Sequence, residues 1–263
     1  MEVPFDLAYT LAGLVIGGII GMTGVGGGSL MTPFLIRYGV NPVIAVGTDL
    51  IYASITKSGA VWSHYRRGNV KLHIVGRLAA GSIPAAVISL LVLNWLDLDI
   101  KRQEAIITSV LGVSLILSSL MLLFGGALRQ SSLAERAAVF RKLHRGWGRP
   151  VIVCAGVVIG ILVTLSSVGA GALGGAVLVT LYPRMAAASI VAIDLAHAVL
   201  LTTVSGIGHL FSGSVDFVLL VSLLLGSLPG VWIGTCIGTY LPDVVLRRIL
   251  GALLLVLGIG FVV

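Results

Sequence analysis

Residues 7–38 read LAYTLAGLVIGGIIGMTGVGGGSLMTPFLIRY, an apolar run in which four of the five positions 24–28 are glycine. As one helix this run would be roughly 48 Å long at 1.5 Å per residue, against a bilayer hydrocarbon core about 30 Å thick. The chain therefore breaks at Thr23–Gly28 and turns back. A membrane is the solvent that makes this length argument apply, and the composition supplies it. The 263 residues are 57% hydrophobic and only 10% charged, with a mean hydropathy of +1.11. A water-soluble surface needs about 25% charged residues, so most of this chain faces lipid. The 35 glycines fit the same reading, because small residues let membrane helices approach closely.

The net charge of +7 and pI near 9.9 raise nucleic-acid binding as an alternative. The basic residues form no arm or separate domain; they sit in short connections between apolar runs, where Lys and Arg collect on the cytoplasmic side. No nucleic-acid partner is expected. Cys154 and Cys236 lie inside apolar runs without a CxxC spacing and read as small hydrophobes. The opening MEVPFDLAYT carries Glu2 and Asp6 but no Lys or Arg, unlike a cleavable signal. The first apolar run is therefore expected to be a retained span.

Apolar segments fall at about 7–22, 29–38, 43–64, 71–94 and 103–124, then at 150–166, 171–182, 186–209, 216–240 and 243–263. Between the two sets lies one extended hydrophilic stretch, 125–149, whose Leu133–Leu143 portion predicts a helix along the membrane surface. The expected organisation is an N-terminal membrane repeat (1–124), a cytoplasmic linker (125–149) and a C-terminal membrane repeat (150–263). The repeat is legible in the residues. At an offset of 145, Asp49-Leu50 falls on Asp194-Leu195, His64 on His209 and Gly68 on Gly213. At the same offset Gly81-Ser82-Ile83-Pro84 falls on Gly226-Ser227-Leu228-Pro229. After a slip of two residues, Val25–Leu30 falls on Val168–Leu173. Five crossings per half make the halves inverted. With the N-terminus outside, thirteen Lys and Arg then lie inside and three outside, with Lys57 in the membrane. Four crossings per half give parallel repeats and a weaker charge bias, so the positive-inside rule favours inversion.

The paired breaks carry the functional signal. Neither Gly24–Ser29 nor Ser167–Gly171 fits a dinucleotide fingerprint or a P-loop. Irregular backbone at membrane depth needs protein or water around it, and breaks at matching positions of two halves point to a transport site. A helix restarting there aims N–H groups and about half a positive charge at its guest, so an anion is the natural ligand. Thr23, Gly26, Gly27, Gly28 and Ser29, with Ser167, Gly169 and Gly171, are the candidate substrate-binding residues; close packing through small residues is the bland alternative. Of the ten acidic residues, eight lie near the predicted ends of apolar runs or in loops, and only Asp49 and Asp194 lie well within them. A charge there costs roughly 2.5–3.5 kcal/mol on insertion scales. They read as proton carriers or cation ligands, or else as caps of helices restarting near Gly47. Lys57, two turns beyond Asp49, contacts an anion, pairs with Asp49 or snorkels to the interface. His197 is spaced to hydrogen-bond Asp194 as part of a proton relay. His64 and His209 read as helix-end hydrogen-bonding groups, and no metal site or cofactor is expected.

The motif TGVGGGSLMTPFL at 23–35, GTDL at 47–50, and their second copies SSVGAGALGGAVL at 166–178 and AIDL at 192–195 resemble the sulfite exporter TauE/SafE family. The resemblance spans nearly the whole chain. It implies a multi-pass permease of the bacterial inner membrane for sulfur-containing anions such as sulfite, thiosulfate and organosulfonates. Ser167 and Ala170 stand where the first copy has Gly24 and Gly27, so the two breaks are not equivalent. The expectation is thus an all-α integral membrane protein of two inverted repeats, about five membrane segments each, with helices broken at the Gly-rich motifs. Its partners are the lipid bilayer and a small anionic substrate, and the sequence leaves room for a homo-oligomer. The alternatives are a cation or metal-ion transporter using the Asp pair and, from another class, an intramembrane enzyme. Against the enzyme stands the lack of any HExxH or nucleophile elbow.

Overall fold

The computed structural model describes residues 7–23, 28–96, 99–131, 136–182, 185–238 and 243–262, with the side chains at 125–131 and 136–149 outside the description. The described residues form ten helices: α1 (Leu7–Thr23), α2 (Gly28–Arg37), α3 (Pro42–Arg66), α4 (Leu72–Trp95), α5 (Ile100–Ser131), α6 (Arg136–Ser166), α7 (Ala172–Leu181), α8 (Ala187–Phe211), α9 (Phe217–Gly238) and α10 (Asp243–Val262). Four stretches are long and apolar enough to cross a membrane by length and composition, namely Leu72–Trp95, Ile100–Phe124, Ala187–Phe211 and Phe217–Ile237. Large apolar side chains face outward on these helices: Leu91 is 61% exposed, Trp232 72% and Phe211 88%. Such a surface is stable against acyl chains and not against water.

The short helices correct one expectation, that each half makes five full crossings. α2 and α7 have ten residues each, about 15 Å of rise, so neither is a full crossing, although each still reverses the direction of the chain. The surface helix expected over 133–143 is also different. The described helix starts at Arg136 and runs on as α6 through Gly146, Gly148 and Pro150, so the residues expected to break it from the apolar span do not.

Glycine contacts fix the directions of the long helices. On α1, Gly13, Gly17 and Gly21 press against the backbones of Leu223, Ser227 and Val231 on α9, so these helices run parallel. On α6, Gly156 and Gly160 press against Leu78 and Ser82 on α4, also in parallel. These are one contact seen twice. Gly13 and Gly17 map onto Gly156 and Gly160 at an offset of 143, and Leu78 and Ser82 map onto Leu223 and Ser227 at 145. In lipid, where apolar burial gives no net gain, such backbone approach supplies much of the association energy.

α3 and α8 cross in the opposite sense. Ile51 packs on Gly206, the Ser54 and Thr203 hydroxyls are 2.6 Å apart, and the Asp216 N–H donates to Thr48 Oγ1 at 3.1 Å. Residue numbers rise on one helix as they fall on the other, so the pair is antiparallel. α5 and α10 are antiparallel too, with Gly112 on Gly258 and Ser119 Oγ donating to the Gly251 carbonyl at 2.7 Å. α8 runs parallel to α4, as Ser82–His197, Leu90–Gly208 and Asn94–Ser212 contacts show. Because α4, α6 and α8 share one direction, α7 between α6 and α8 must run back. The ends of α3 and α8 repeat as well. Gly68 and Gly213 adopt φ of 72° and 70°, and the following residues, Asn69 and Ser214, donate to the carbonyls of His64 and His209. That left-handed closure is glycine's role after a helix.

Candidate functional site

Buried polar side chains line the crossing of α3 and α8. Extending the register of Ile51–Gly206 and Ser54–Thr203, residue 56 meets residue 201, its own counterpart at the 145 offset. Lys57, and its counterpart Thr202, are therefore one residue from the point that relates the two halves. Lys57 is 7% exposed and stands within electrostatic reach of Asp194 and of Asp49. Among the described residues it is the buried Lys or Arg. Thr202 is turned inward on its own helix, donating to the Ala198 carbonyl at 2.8 Å.

Asp49 is fully buried eight positions into α3, so it does not cap a restarting helix. Asn41 takes that part, its side chain accepting from the Val43 N–H at 2.9 Å. The Asp49 carboxylate accepts a hydrogen bond at Oδ2 from the Thr32 hydroxyl of α2. Ser167, at the break between α6 and α7, stands next to the same carboxylate, although its hydroxyl forms no hydrogen bond of good geometry. Asp49 Oδ1 has no hydrogen-bond partner. The first half's carboxylate thus meets its own half-length helix on one side and the second half's break on the other.

Asp194, 7% exposed, lies against α7. A Cβ placed on Gly174 would collide with Asp194 Oδ1, and one on Gly175 would come within 3.8 Å of Oδ2. Gly175 is the counterpart of Thr32 at the 143 offset, so the second carboxylate has backbone where the first has a hydroxyl. Asp194 Oδ1 likewise lacks a hydrogen-bond partner.

The break before α7 is built by short-range polar contacts. Ser167 adopts φ of 58° and Gly169 φ of 107°, and Ser167 stands where the first copy has Gly24, the residue that such a φ favours. Ser166 Oγ donates to the Leu162 carbonyl at 2.6 Å and accepts from the Val168 N–H at 3.2 Å. Helical bonding resumes with Leu173 N–H donating to the Gly169 carbonyl at 3.1 Å, and Gly171 is the N-cap, with no side chain to cap. Of the first-copy residues, Ser29 is buried at the start of α2. Thr23 ends α1 and Gly28 opens α2, both described as backbone alone, while Gly26 and Gly27 lie outside the described residues.

The expected His197–Asp194 hydrogen bond is not formed. His197 instead reaches across to α4, its Nε2 2.8 Å from Ser82 Oγ, because the crossing places that hydroxyl opposite the ring; its Nδ1 has no partner. The counterpart of His197 is Tyr52, and Tyr52 lies beside Ser227, the counterpart of Ser82. His209 bonds the Thr164 carbonyl at 3.0 Å, while His64 sits near Asn69 at a half-buried helix end. Sequence reasoning missed Thr32, Tyr52 and the two serines. The serines were within its reach, since both belong to the repeated Gly-Ser-x-Pro; the Tyr/His exchange hid their partners. Among the described residues no group of three His, Cys, Asp or Glu is arranged to hold a metal ion.

Comparison with known proteins agrees with this architecture. The family model described as sulfite exporter TauE/SafE matches residues 9–261. A probable membrane transporter protein of Bacillus subtilis (strain 168), YjnA, is 39% identical over 257 residues, covering 98% of this chain and 100% of that one. A second from the same organism, YdhB, is 28% identical over 241 residues, covering 89% and 90%. No solved structure matches.

Proposed function

Because the chain belongs to the sulfite exporter TauE/SafE family, and so to a family of multi-pass cell-membrane transporters, we propose that it moves small sulfur-containing anions as a secondary transporter. Sulfite, thiosulfate and organosulfonates are the substrate class, and the route passes through the polar centre between α3 and α8. One observation carries the proposal. Asp49 lies between Thr32 of α2 and Ser167 of the break before α7, so the half-length helix of one repeat and the interrupted backbone of the other share one buried polar site. Half-length helices aimed at a common centre are how membrane transporters present backbone N–H groups to an anion. Ser29 and the backbone at Gly26–Gly28 serve on the α2 side; Ser167, Gly169 and Gly171 serve on the α7 side. Thr23 closes α1 at the same break.

In this reading the two repeats are inverted, with the 125–149 linker in the cytoplasm and both membrane repeats flanking it. The antiparallel crossing of α3 and α8 supports inversion: helices related by an axis along the membrane normal would run parallel, and an axis in the membrane plane reverses them. Asp49 and Asp194, on either side of Lys57 along the crossing, couple anion movement to an ion gradient, with His197 and Ser82 alongside. Purified protein in vesicles tests this. Radiolabelled sulfite or thiosulfate should enter saturably, and Gly27→Val should abolish entry while leaving the purified protein monodisperse. Flux unaffected by that substitution would remove the break from the binding site.

A further inference from the structure

The charge composition of the centre leads beyond the anion route. Two carboxylates, Asp49 and Asp194, lie within electrostatic reach of one ammonium, Lys57, and all three residues are at least nine-tenths buried. Among the described residues, their sum leaves one negative charge without a protein partner. Such a charge in a low-dielectric interior requires a counter-charge. Both carboxylates have an oxygen, Oδ1, with no hydrogen-bond partner. The remaining groups around the centre are neutral or already engaged: Thr32 and Ser167 hydroxyls from α2 and the α6–α7 break, Tyr52 on α3, Ser82 on α4, Ser227 on α9, and His197, which is committed to Ser82. Lys57 stands within electrostatic reach of both. Asp49 is the carboxylate served by hydroxyls, with the oxygens of Thr32 and Ser167 beside its own.

We propose that Lys57 is a tethered cation shared by the two repeat-related carboxylates, and that the charge it leaves uncompensated makes Asp49, Thr32 and Ser167 a site for one exchangeable monovalent cation, a proton or Na⁺. This rests on the reading of the centre as the coupling site and deepens it: one cation accompanies each cycle, because the second is built into the chain. The asymmetry between Lys57 and Thr202 has a function on this account. Two inverted halves would otherwise offer two equal cation sites. Oxygen ligands suit Na⁺, and a carboxylate beside hydroxyls suits a proton.

The test uses purified full-length protein and no anion, so its failure is separable from failure of the anion reading. Thermal unfolding is followed in NaCl and in N-methyl-D-glucamine chloride at matched ionic strength, over a pH series. The parent should be stabilised saturably by Na⁺, or by lowering pH if the cation is a proton, and Asp49→Asn should lose that response. Asp194→Asn should lose it too, because Lys57 is then free to serve Asp49. Lys57→Met/Asp194→Asn should regain it with one equivalent, and Lys57→Met alone should titrate with two. The balanced double variant keeps the test intact if Lys57→Met fails to fold. A response that persists in Asp194→Asn, or that is missing from the parent with both cations, overturns the proposal.

Discussion

Gly226 and Gly81 are the same residue of the repeat, and each is pressed against the backbone of a neighbouring helix. A Cβ on Gly226 would run into the Thr10 carbonyl oxygen and come within 2.8 Å of Leu14 N. On Gly81 it would run into the Val153 carbonyl oxygen and come within 3.0 Å of Val157 N. Backbone atoms cannot rotate away, so α1 must separate from α9, or α4 from α6, to admit a single methyl group. Overpacking of this kind costs about 1–3 kcal/mol, and at about 2–4 °C per kcal/mol for a chain of this size Gly226→Ala should unfold several degrees below the parent. Gly81→Ala should fall by a similar amount. Gly59 and Gly76 give the control, because nothing lies within 4 Å of a Cβ added at either. In a helix interior Ala is preferred to Gly by up to about 1 kcal/mol, so Gly59→Ala and Gly76→Ala should be neutral or stabilising. Thermal unfolding in one detergent, with size-exclusion chromatography as the check on folding, reads all four. The reasoning is refuted if Gly226→Ala and Gly81→Ala match the parent, or if the open-site variants lose as much as the packed ones.

Ser82→Ala should destabilise by about 1–3 kcal/mol by leaving the buried His197 ring without its partner; Ser82→Ala/His197→Leu should cost less than the two single changes added, and strict additivity in chemical denaturation would show that the pair does not interact. A cysteine at Ser132, in a background without Cys154 and Cys236, should resist an impermeant thiol reagent in intact cells and react after permeabilisation. Ready labelling in intact cells would contradict the cytoplasmic linker. Asp49→Asn should remove gradient-driven accumulation in vesicles while leaving downhill exchange measurable, and accumulation equal to the parent's would exclude Asp49 from coupling.

The fold was legible where the chain obeys simple rules of length and repetition. The apolar runs correspond closely to α1–α10, and the repeat that aligned Asp49 with Asp194 also aligns the glycine contacts of α1–α9 with those of α4–α6, at 145 on α4 and α9 and at 143 on α1 and α6. Length reasoning showed that 7–38 must break, but not that α2 and α7 would be half-length, since an apolar ten-residue segment reads the same whether it crosses or stops midway. At the site, intramembrane charge singled out Asp49, Lys57 and Asp194 because each is costly in lipid. Hydroxyls carry no such signal: Thr32, Ser82 and Ser227 resemble any helical Ser or Thr until a partner helix is placed opposite. His197 was assigned to Asp194 on spacing along one helix, yet its partner comes from α4. Single-helix geometry cannot see across a crossing.

Anion flux through the purified protein tests the central claim most directly. Vesicles containing the parent protein, loaded with unlabelled sulfite, should exchange it for external radiolabelled sulfite or thiosulfate with saturation. Ser167→Asn, which tolerates the left-handed φ at this position, replaces the hydroxyl beside Asp49 and adds bulk at the break, should reduce that exchange at least tenfold without changing the protein's elution profile. Saturable flux of a divalent metal ion with sulfur anions inert, or anion exchange indifferent to Ser167→Asn, would contradict the account.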